Sequence, residues 1–178
     1  GQPAAIDEIR EIAQAGKIAV IDDAAHSFPA WYGGKMIGGI SDMTCFSFYA
    51  TKTITTGEGG MITTNRDDYA AMLKTLRLHG ISHDAWNRYS DKGSWMYDVT
   101  EIGFKYNMSD ISAALGISQL ARYQDMWMKR KRVAEMYSEA FKGIPRIGSC
   151  QVREGRESAW YLFPIILDVE RLAITRDD

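Results

Sequence analysis

Two short apolar runs constrain the fold of this chain more than any other feature. Residues 18–21 form the first run, which ends at Asp22 and Asp23, and residues 43–48 form the second. Continuous apolar runs of about four to eight residues between turn signals are typical of strands buried on both faces. Glycine-rich segments separate the second run from its neighbours, and residues 60–64 predict a further strand. The sequence therefore predicts a sheet that is covered on both faces.

Helical periodicity and end signals predict three helices around these strands. Each is expected to bury one apolar face and to end at a glycine or proline. The predicted helices span residues 4–15 with Gly16 as C-cap, residues 65–78 ended by His79 and Gly80, and a long stretch to about residue 142 that opens at residues 107–110 with Ser109 or Asn107 as cap. Helices between buried strands predict an α/β fold.

The rest of the chain predicts a long loop and a second unit. Residues 81–106 are polar and aromatic with little periodicity, which is typical of a functional loop packed on another surface. An apolar run at residues 160–167 predicts a strand beyond a domain boundary near residue 145. The predicted units are residues 1–145 and 146–178, and both chain ends are expected to be truncations of a longer protein.

Composition and charge argue against two classes of partner. The formal net charge of -2 and the pI near 6.0 give no basic field for nucleic acid or an anionic membrane. The basic run at residues 129–132 is interpreted as a solvated helix face. No apolar stretch is long enough for a membrane helix, and the start of the chain does not resemble a signal peptide. Cys45 and Cys150 lack metal or disulfide spacing, which predicts a cytoplasmic protein without a metal site.

Polar side chains follow both apolar runs at the point where each ends. Asp23 and His26 follow the first run, and Ser47 and Lys52 lie at or after the end of the second. Because the carboxyl ends of strands form the ligand crevice of open α/β sheets, these side chains are expected to converge on one small ligand. Pyridoxal phosphate needs a lysine amine for a Schiff base, an acid for its pyridine nitrogen and donors for its phosphate. The sequence holds a candidate for each.

Each candidate also has a purely structural interpretation. Asp22 is more simply a turn cap, His26 a turn histidine and Ser47 a small residue in a packed strand. A lone lysine after a strand is usually a solvated end. The turn at residues 55–60 lacks the Gly-Lys-Ser/Thr ending of a P-loop and precedes a strand, so it is interpreted as a positioning turn.

Four blocks of sequence occur in a fixed order, at residues 21–26, 46–52, 55–60 and 103–110. Together they resemble the DegT/DnrJ/EryC1/StrS family of pyridoxal-phosphate-dependent sugar aminotransferases, and the resemblance covers essentially the whole chain. Its nearest members are those that form UDP-4-amino-4-deoxy-L-arabinose from a UDP-linked 4-keto pentose. The resemblance implies an incomplete fold-type I large domain around a mostly parallel sheet, followed by the start of a smaller C-terminal domain.

The resemblance implies a role for each matching side chain at the cofactor. Lys52 would form the Schiff base and transfer protons during transamination. Asp23 would bind the pyridine nitrogen, Ala25 would pack against the ring face and His26 would hydrogen-bond the phenolic oxygen. Ser47 would bind the phosphate.

Asn107 has an implied role in a second subunit. It would reach the phosphate of the neighbouring subunit, so the resemblance implies a homodimer with shared active sites. Family members are longer than this chain. An earlier segment with further phosphate contacts and a stacking aromatic ring, and a later segment that completes the small domain, have no counterpart in these 178 residues.

The implied reaction is transfer of an amino group from an amino acid, glutamate by resemblance, to a nucleotide-linked keto sugar. Two alternatives stay open. Related dehydratases use the same cofactor with histidine in place of the lysine, so Lys52 favours transamination. An inactive truncation or a regulatory relative acting as an interaction module is the second alternative, and the joint presence of Asp23, His26 and Ser47 argues against it.

Overall fold

The computed structural model describes residues 1–81, 98–171 and 175. The aromatic part of the predicted long loop, residues 82–97, lies outside the described residues. In chain order the elements are α1 (Ile6–Gly16), β1 (Ile21–Asp23), β2 (Trp31–Tyr32), β3 (Lys35–Met36), β4 (Met43–Ser47), β5 (Gly60–Thr63), α2 (Asp67–Leu76), α3 (Asp110–Leu120), α4 (Tyr123–Phe141), β6 (Ile147–Ser149), β7 (Arg156–Glu157), β8 (Ile165–Leu167) and a 3-10 helix at Val169–Arg171.

The predicted strands form one sheet in the order β1-β4-β5. Strand β1 runs parallel to β4, with Asp23 opposite Cys45. Strand β5 runs antiparallel to β4, with Gly60 opposite Ser47. The α/β class expected from the sequence is confirmed, and the ends of β1 and β4 that carry the candidate side chains lie side by side.

The core lies where α1 meets the segments that flank β1 and β2. Its buried members are Ile6 of α1 and Ala24, Ala30 and Ile37 from the connections. Phe46 of β4 packs against this cluster, so the core joins the helix to the central sheet. Burying these apolar groups stabilises the edge of the sheet that carries the candidate site.

Two smaller sheets contain strands of the C-terminal part, and one of them joins it to the rest. Strand β2 pairs with β3 across the Gly33-Gly34 turn, where both glycines have positive φ, and it also pairs with β7. Strands β6 and β8 form an antiparallel pair. Because β7 belongs to the predicted second unit and pairs with β2, residues 156–157 lie beside the first unit. The boundary near residue 145 stays a prediction.

The long helix predicted to reach about residue 142 is wrong as a single helix. It is two helices, because Arg122 has φ -119° and ψ 8° and leaves the helical conformation. Two aromatic side chains of α4, after the break, pack on residues near β2. The ring centroid of Tyr123 lies 5.6 Å from that of Phe28, and the ring centroid of Trp127 lies 4.7 Å from that of Trp31. The predicted cap is confirmed at Ser109, whose Oγ accepts a hydrogen bond from the Ser112 N–H.

Two other predicted boundaries differ from the structure. Gly16 is the last residue of α1, and Lys17 takes the left-handed C-cap conformation at φ 53° with its N–H bonded to the Ala13 and Gln14 carbonyls. The predicted strand at residues 160–167 is reduced to β8: Trp160 has φ 51°, which is not extended, and Pro164, directly before β8, has no N–H to donate to a neighbouring strand.

Candidate active site

The register of β1 and β4 places three polar side chains on one face of the sheet. Paired residues on neighbouring strands share a face, and successive residues alternate between faces. Asp23 pairs with Cys45, so these two share a face, and Ser47 lies two residues further along on the same face. Asp22 pairs instead with the fully buried Thr44 on the opposite face.

A tight turn after β1 presents Asp23 and His26. Asp23 Oδ1 accepts a hydrogen bond from the Ala25 N–H at 3.0 Å. The Ala24 N–H donates to the Cys45 carbonyl at 2.8 Å, and the Ser27 N–H donates to the Ala24 carbonyl at 2.9 Å. These bonds hold the turn against β4 while the side chains of Asp23 and His26 stay exposed. An acid and an imidazole therefore lie next to each other at the strand end.

A second turn, after β4, presents Ser47 and Lys52. The Tyr49 N–H donates to Ser47 Oγ at 3.3 Å, and the Lys52 N–H donates to the Tyr49 carbonyl at 2.9 Å. Lys52 is half-buried. The backbone of this turn thus orients a hydroxyl and an amine at the same sheet edge as Asp23.

Helix α3 and the turn at residues 55–60 stabilise the turn after β4 that presents Lys52, which is called the lysine turn below. The Phe48 carbonyl accepts bonds from the Thr55 hydroxyl and the Thr56 N–H, each at 3.0 Å. Gln119 of α3 makes two hydrogen bonds with the backbone of Thr55. Its Oε1 accepts from the Thr55 N–H at 3.0 Å, and its Nε2 donates to the Thr55 carbonyl at 2.8 Å. Gly59 has φ 156°, and an added Cβ would lie 2.3 Å from Thr56 Oγ1. This turn leads into β5, which fits its interpretation as a positioning turn.

Tyr161 is a site residue that the sequence did not reveal. Its ring centroid lies 4.5 Å from that of His26 and 4.9 Å from Lys52 Nζ. Its hydroxyl lies 3.0 Å from the Thr51 hydroxyl. Tyr161 belongs to the apolar run at residues 160–167, which predicted only a strand. No sequence signal therefore pointed to a role in the site. Through Tyr161, the structure brings His26 and Lys52 to one ring.

The carboxylates at the end of β1 change the pKa of a side chain inside the sheet. Burial raises the pKa of the Cys45 thiol, and the carboxylates of Asp23 and then Asp22 raise it further. The greater effect of Asp23 agrees with its position opposite Cys45 on the same face. Negative charge is therefore concentrated at the end of β1.

Asn107 lies in the segment that leads into α3. Its Oδ1 accepts a hydrogen bond from Lys105 Nζ. Across the described ranges, no hydrogen bond joins Asn107 to Asp23, His26, Ser47 or Lys52. The structure thus gathers Asp23, Ala25, His26, Ser47 and Lys52 at one edge of the sheet, and Asn107 precedes α3 by three residues.

The described part of the chain contains neither a metal-binding cluster nor a membrane-spanning helix. No cluster of three or more His, Cys, Asp or Glu side chains there could hold a metal ion. None of the described helices combines the length and the apolar character needed to cross a bilayer.

The model of the DegT/DnrJ/EryC1/StrS aminotransferase family matches residues 1–178, and the chain belongs to this family. Membership confirms the resemblance found in the four sequence blocks. It makes the chain part of a family of pyridoxal-phosphate-dependent aminotransferases.

Individual relatives agree with this assignment. Protein MJ1066 of Methanocaldococcus jannaschii, itself uncharacterised, is 48% identical over 176 residues, which are 99% of this chain and 46% of MJ1066. The spore coat polysaccharide biosynthesis protein SpsC of Bacillus subtilis is 44% identical over 178 residues, which are 100% of this chain and 46% of SpsC. The chain therefore spans about half the length of the curated relatives it matches.

The solved structures of Spr1654 from Streptococcus pneumoniae, a proposed sugar aminotransferase, share the fold. The PMP form has a TM-score of 0.83 and 30% identity, with 93% of this chain and 47% of that chain covered. The PLP form has a TM-score of 0.81, also at 30% identity, with coverage of 93% and 45%. These two cofactor forms confirm, for the family, the pyridoxal phosphate expected from the sequence.

The residues at the sheet edge fit this cofactor. An exposed carboxylate, an imidazole, a hydroxyl and a primary amine are the donor set that a protonated pyridine ring, a phenolic oxygen, a phosphate and an aldehyde require. Asp23 engages one backbone N–H through Oδ1 and remains exposed, and Lys52 is half-buried beside a ring. The chemistry of the donor set thus agrees with the family.

Proposed function

We propose that the protein transfers an amino group from glutamate to a keto sugar carried on a nucleotide, with pyridoxal phosphate as cofactor. The observation that carries the proposal is the position of Lys52, half-buried at the sheet edge where Asp23, His26 and Ser47 also lie. Family membership over the full chain supports the reaction class. SpsC, named for spore coat polysaccharide biosynthesis, supports a sugar as acceptor.

Each side chain has a defined task in this proposal. Asp23 holds a proton on the pyridine nitrogen, and His26 hydrogen-bonds the phenolic oxygen. Ser47 donates to the phosphate, and Ala25 supports the ring face. When bound, the cofactor supplies the carbonyl that takes up the amino group and a ring that delocalises the electron pair left by a departing proton.

Lys52 has two tasks that depend on one atom. Its Nζ attaches the cofactor, and after a substrate amine has displaced it, the free Nζ takes up and returns the proton at the substrate α-carbon. A half-buried position suits both tasks, because the amine lies within the site and can still reach a substrate. This explains why a lysine, rather than the histidine of related dehydratases, favours transamination.

We also propose that the working protein is a homodimer in which Asn107 reaches the neighbouring subunit's phosphate. Apolar side chains of the adjacent helix α3 support association: Ile111 is 86% exposed and Ile117 is 69% exposed. The free thiols of Cys45 and Cys150 support a reducing, cytoplasmic location.

The test is an amino-transfer assay on the protein expressed from its complete gene. Pyridoxal phosphate, glutamate and a panel of nucleotide-linked keto sugars are supplied, and the amino sugar is detected by mass spectrometry. The Lys52→Ala variant should lose about 10²–10⁴-fold or more in rate, as expected for removal of the proton-transferring group. The control Lys35→Ala, at an exposed lysine of β3, should keep full rate. Equal rates for Lys52→Ala and the wild type would overturn the proposal.

A further inference from the structure

Tyr161 makes three contacts, all with residues of the two site turns. Its hydroxyl bonds Thr51, its ring packs on His26, and Lys52 Nζ lies 4.9 Å above its ring centroid. The first two contacts fix the plane of the ring. The third places the Lys52 amine over that ring's face.

The chain that carries Tyr161 is itself firmly held. Ser158 and Ala159 are buried, at 7% and 0% exposure. The Trp127 indole N–H of α4 donates to the Ser158 carbonyl at 2.9 Å, and the Trp160 N–H donates to Ser158 Oγ at 3.1 Å. Tyr161 follows the left-handed Trp160 and is half-buried. The ring therefore comes from a fixed segment of the C-terminal part.

A tyrosine ring face attracts a cation, since the face carries the negative part of the ring quadrupole. An ammonium at 4.9 Å from the centroid is within the range of this attraction, and a neutral or bonded amine gains less from it. The contact therefore attracts the Lys52 side chain to the ring of Tyr161 when its amine is not bonded to another group.

We propose that Tyr161 is a positioning residue that holds the Lys52 side chain at the site while Lys52 is not bonded to the cofactor. The inference rests on the proposed function, because it gives Lys52 a free state between release and re-attachment. Tyr161 acts through Lys52 and takes no part in bond making. The Thr51 hydroxyl assists by fixing the orientation of the ring.

The test measures Lys52 directly, in the protein expressed from its complete gene and without cofactor. Lysines are acetylated with limiting acetic anhydride at fixed pH, and the rate at each site is mapped by peptide mass spectrometry. Tyr161→Leu removes the ring, so the Lys52 rate should rise about two- to fivefold, the size expected from the cation–ring attraction. Exposed Lys17 in the same digest serves as the internal control and should not change.

Two conservative variants separate positioning from a general packing defect. Tyr161→Phe keeps the ring and loses the hydroxyl, and Thr51→Val loses the same hydrogen bond from the other side. In both variants the acetylation rate of Lys52 should stay close to that of the wild type. An unchanged Lys52 rate in Tyr161→Leu, or an equal rise in Tyr161→Phe, would overturn the proposal.

A measurement on the unsubstituted protein guards against misfolding of the leucine variant. The NMR signals of the Lys52 side-chain methylenes, assigned with Lys52→Arg, should be shifted upfield by the Tyr161 ring. Signals at ordinary positions would refute the contact. Since neither readout involves the cofactor, a wild type that fails to attach pyridoxal phosphate would count against the proposed function alone.

Discussion

Gln119 offers a quantitative test of how the lysine turn is supported. Its side chain makes two hydrogen bonds with the Thr55 backbone, at 3.0 and 2.8 Å, in a partly buried position. Gln119→Ala removes both and leaves a backbone N–H and a carbonyl without these partners. At about 0.5–1.5 kcal/mol for each net hydrogen bond, the loss is about 2 kcal/mol. The greater helix propensity of alanine offsets only a few tenths of a kcal/mol.

Urea unfolding followed by circular dichroism gives the free energy of unfolding directly. The midpoint should fall while the slope with urea stays constant. For a chain of this length, about 2 kcal/mol corresponds to a fall of about 4–8 °C in Tm. Ser118→Ala, at the exposed neighbouring position of α3, should change the free energy by less than about 0.5 kcal/mol. A loss below about 0.5 kcal/mol in Gln119→Ala would refute the supporting role.

Two further predictions follow from the turns and charges. Asp23→Asn removes the larger of two carboxylate effects on the pKa of Cys45, so this pKa should fall. Alkylation of Cys45 at pH 8 should then be faster than in the wild type, and the increase should be greater than in Asp22→Asn. An equal increase in both variants would contradict the register of β1 and β4. Gly80→Ala should destabilise strongly in the same urea assay, because the residue has φ 70° and an added Cβ would lie 1.8 Å from the Glu101 carbonyl oxygen. Gly143→Ala, with φ 79° and no heavy atom within 4 Å, should cost only about 1 kcal/mol, and similar losses at both positions would show that the close contact does not matter.

Local chemistry made several features predictable from sequence. Ser109 was one of two predicted caps, with Asn107, because a serine or asparagine side chain can satisfy a backbone N–H of the first helical turn, which depends on residues close in sequence. Helix α2 ends at Leu76, two residues before the predicted Leu78, and His79 and Gly80 take positive φ, 59° and 70°, in the turn that follows. Strand β4 followed from the continuous apolar run at residues 43–48, whereas the run at residues 18–21 shares only Ile21 with β1.

Contacts between distant residues were not predictable in this way. The break at Arg122 serves packing of α4 on Phe28 and Trp31, and nothing in the local sequence requires it. The Thr51–Tyr161 contact joins positions 110 residues apart. No local pattern reports such a pairing, so Tyr161 became visible only in the structure.

The most direct test of the central claim is the site at which pyridoxal phosphate becomes attached. The protein expressed from its complete gene is incubated with pyridoxal phosphate, reduced with borohydride, digested and mapped by mass spectrometry. The account predicts a pyridoxyl group on Lys52, with other lysines modified at background level. A wild-type protein in which Lys52 is modified no more than exposed Lys17 or Lys35 would contradict it.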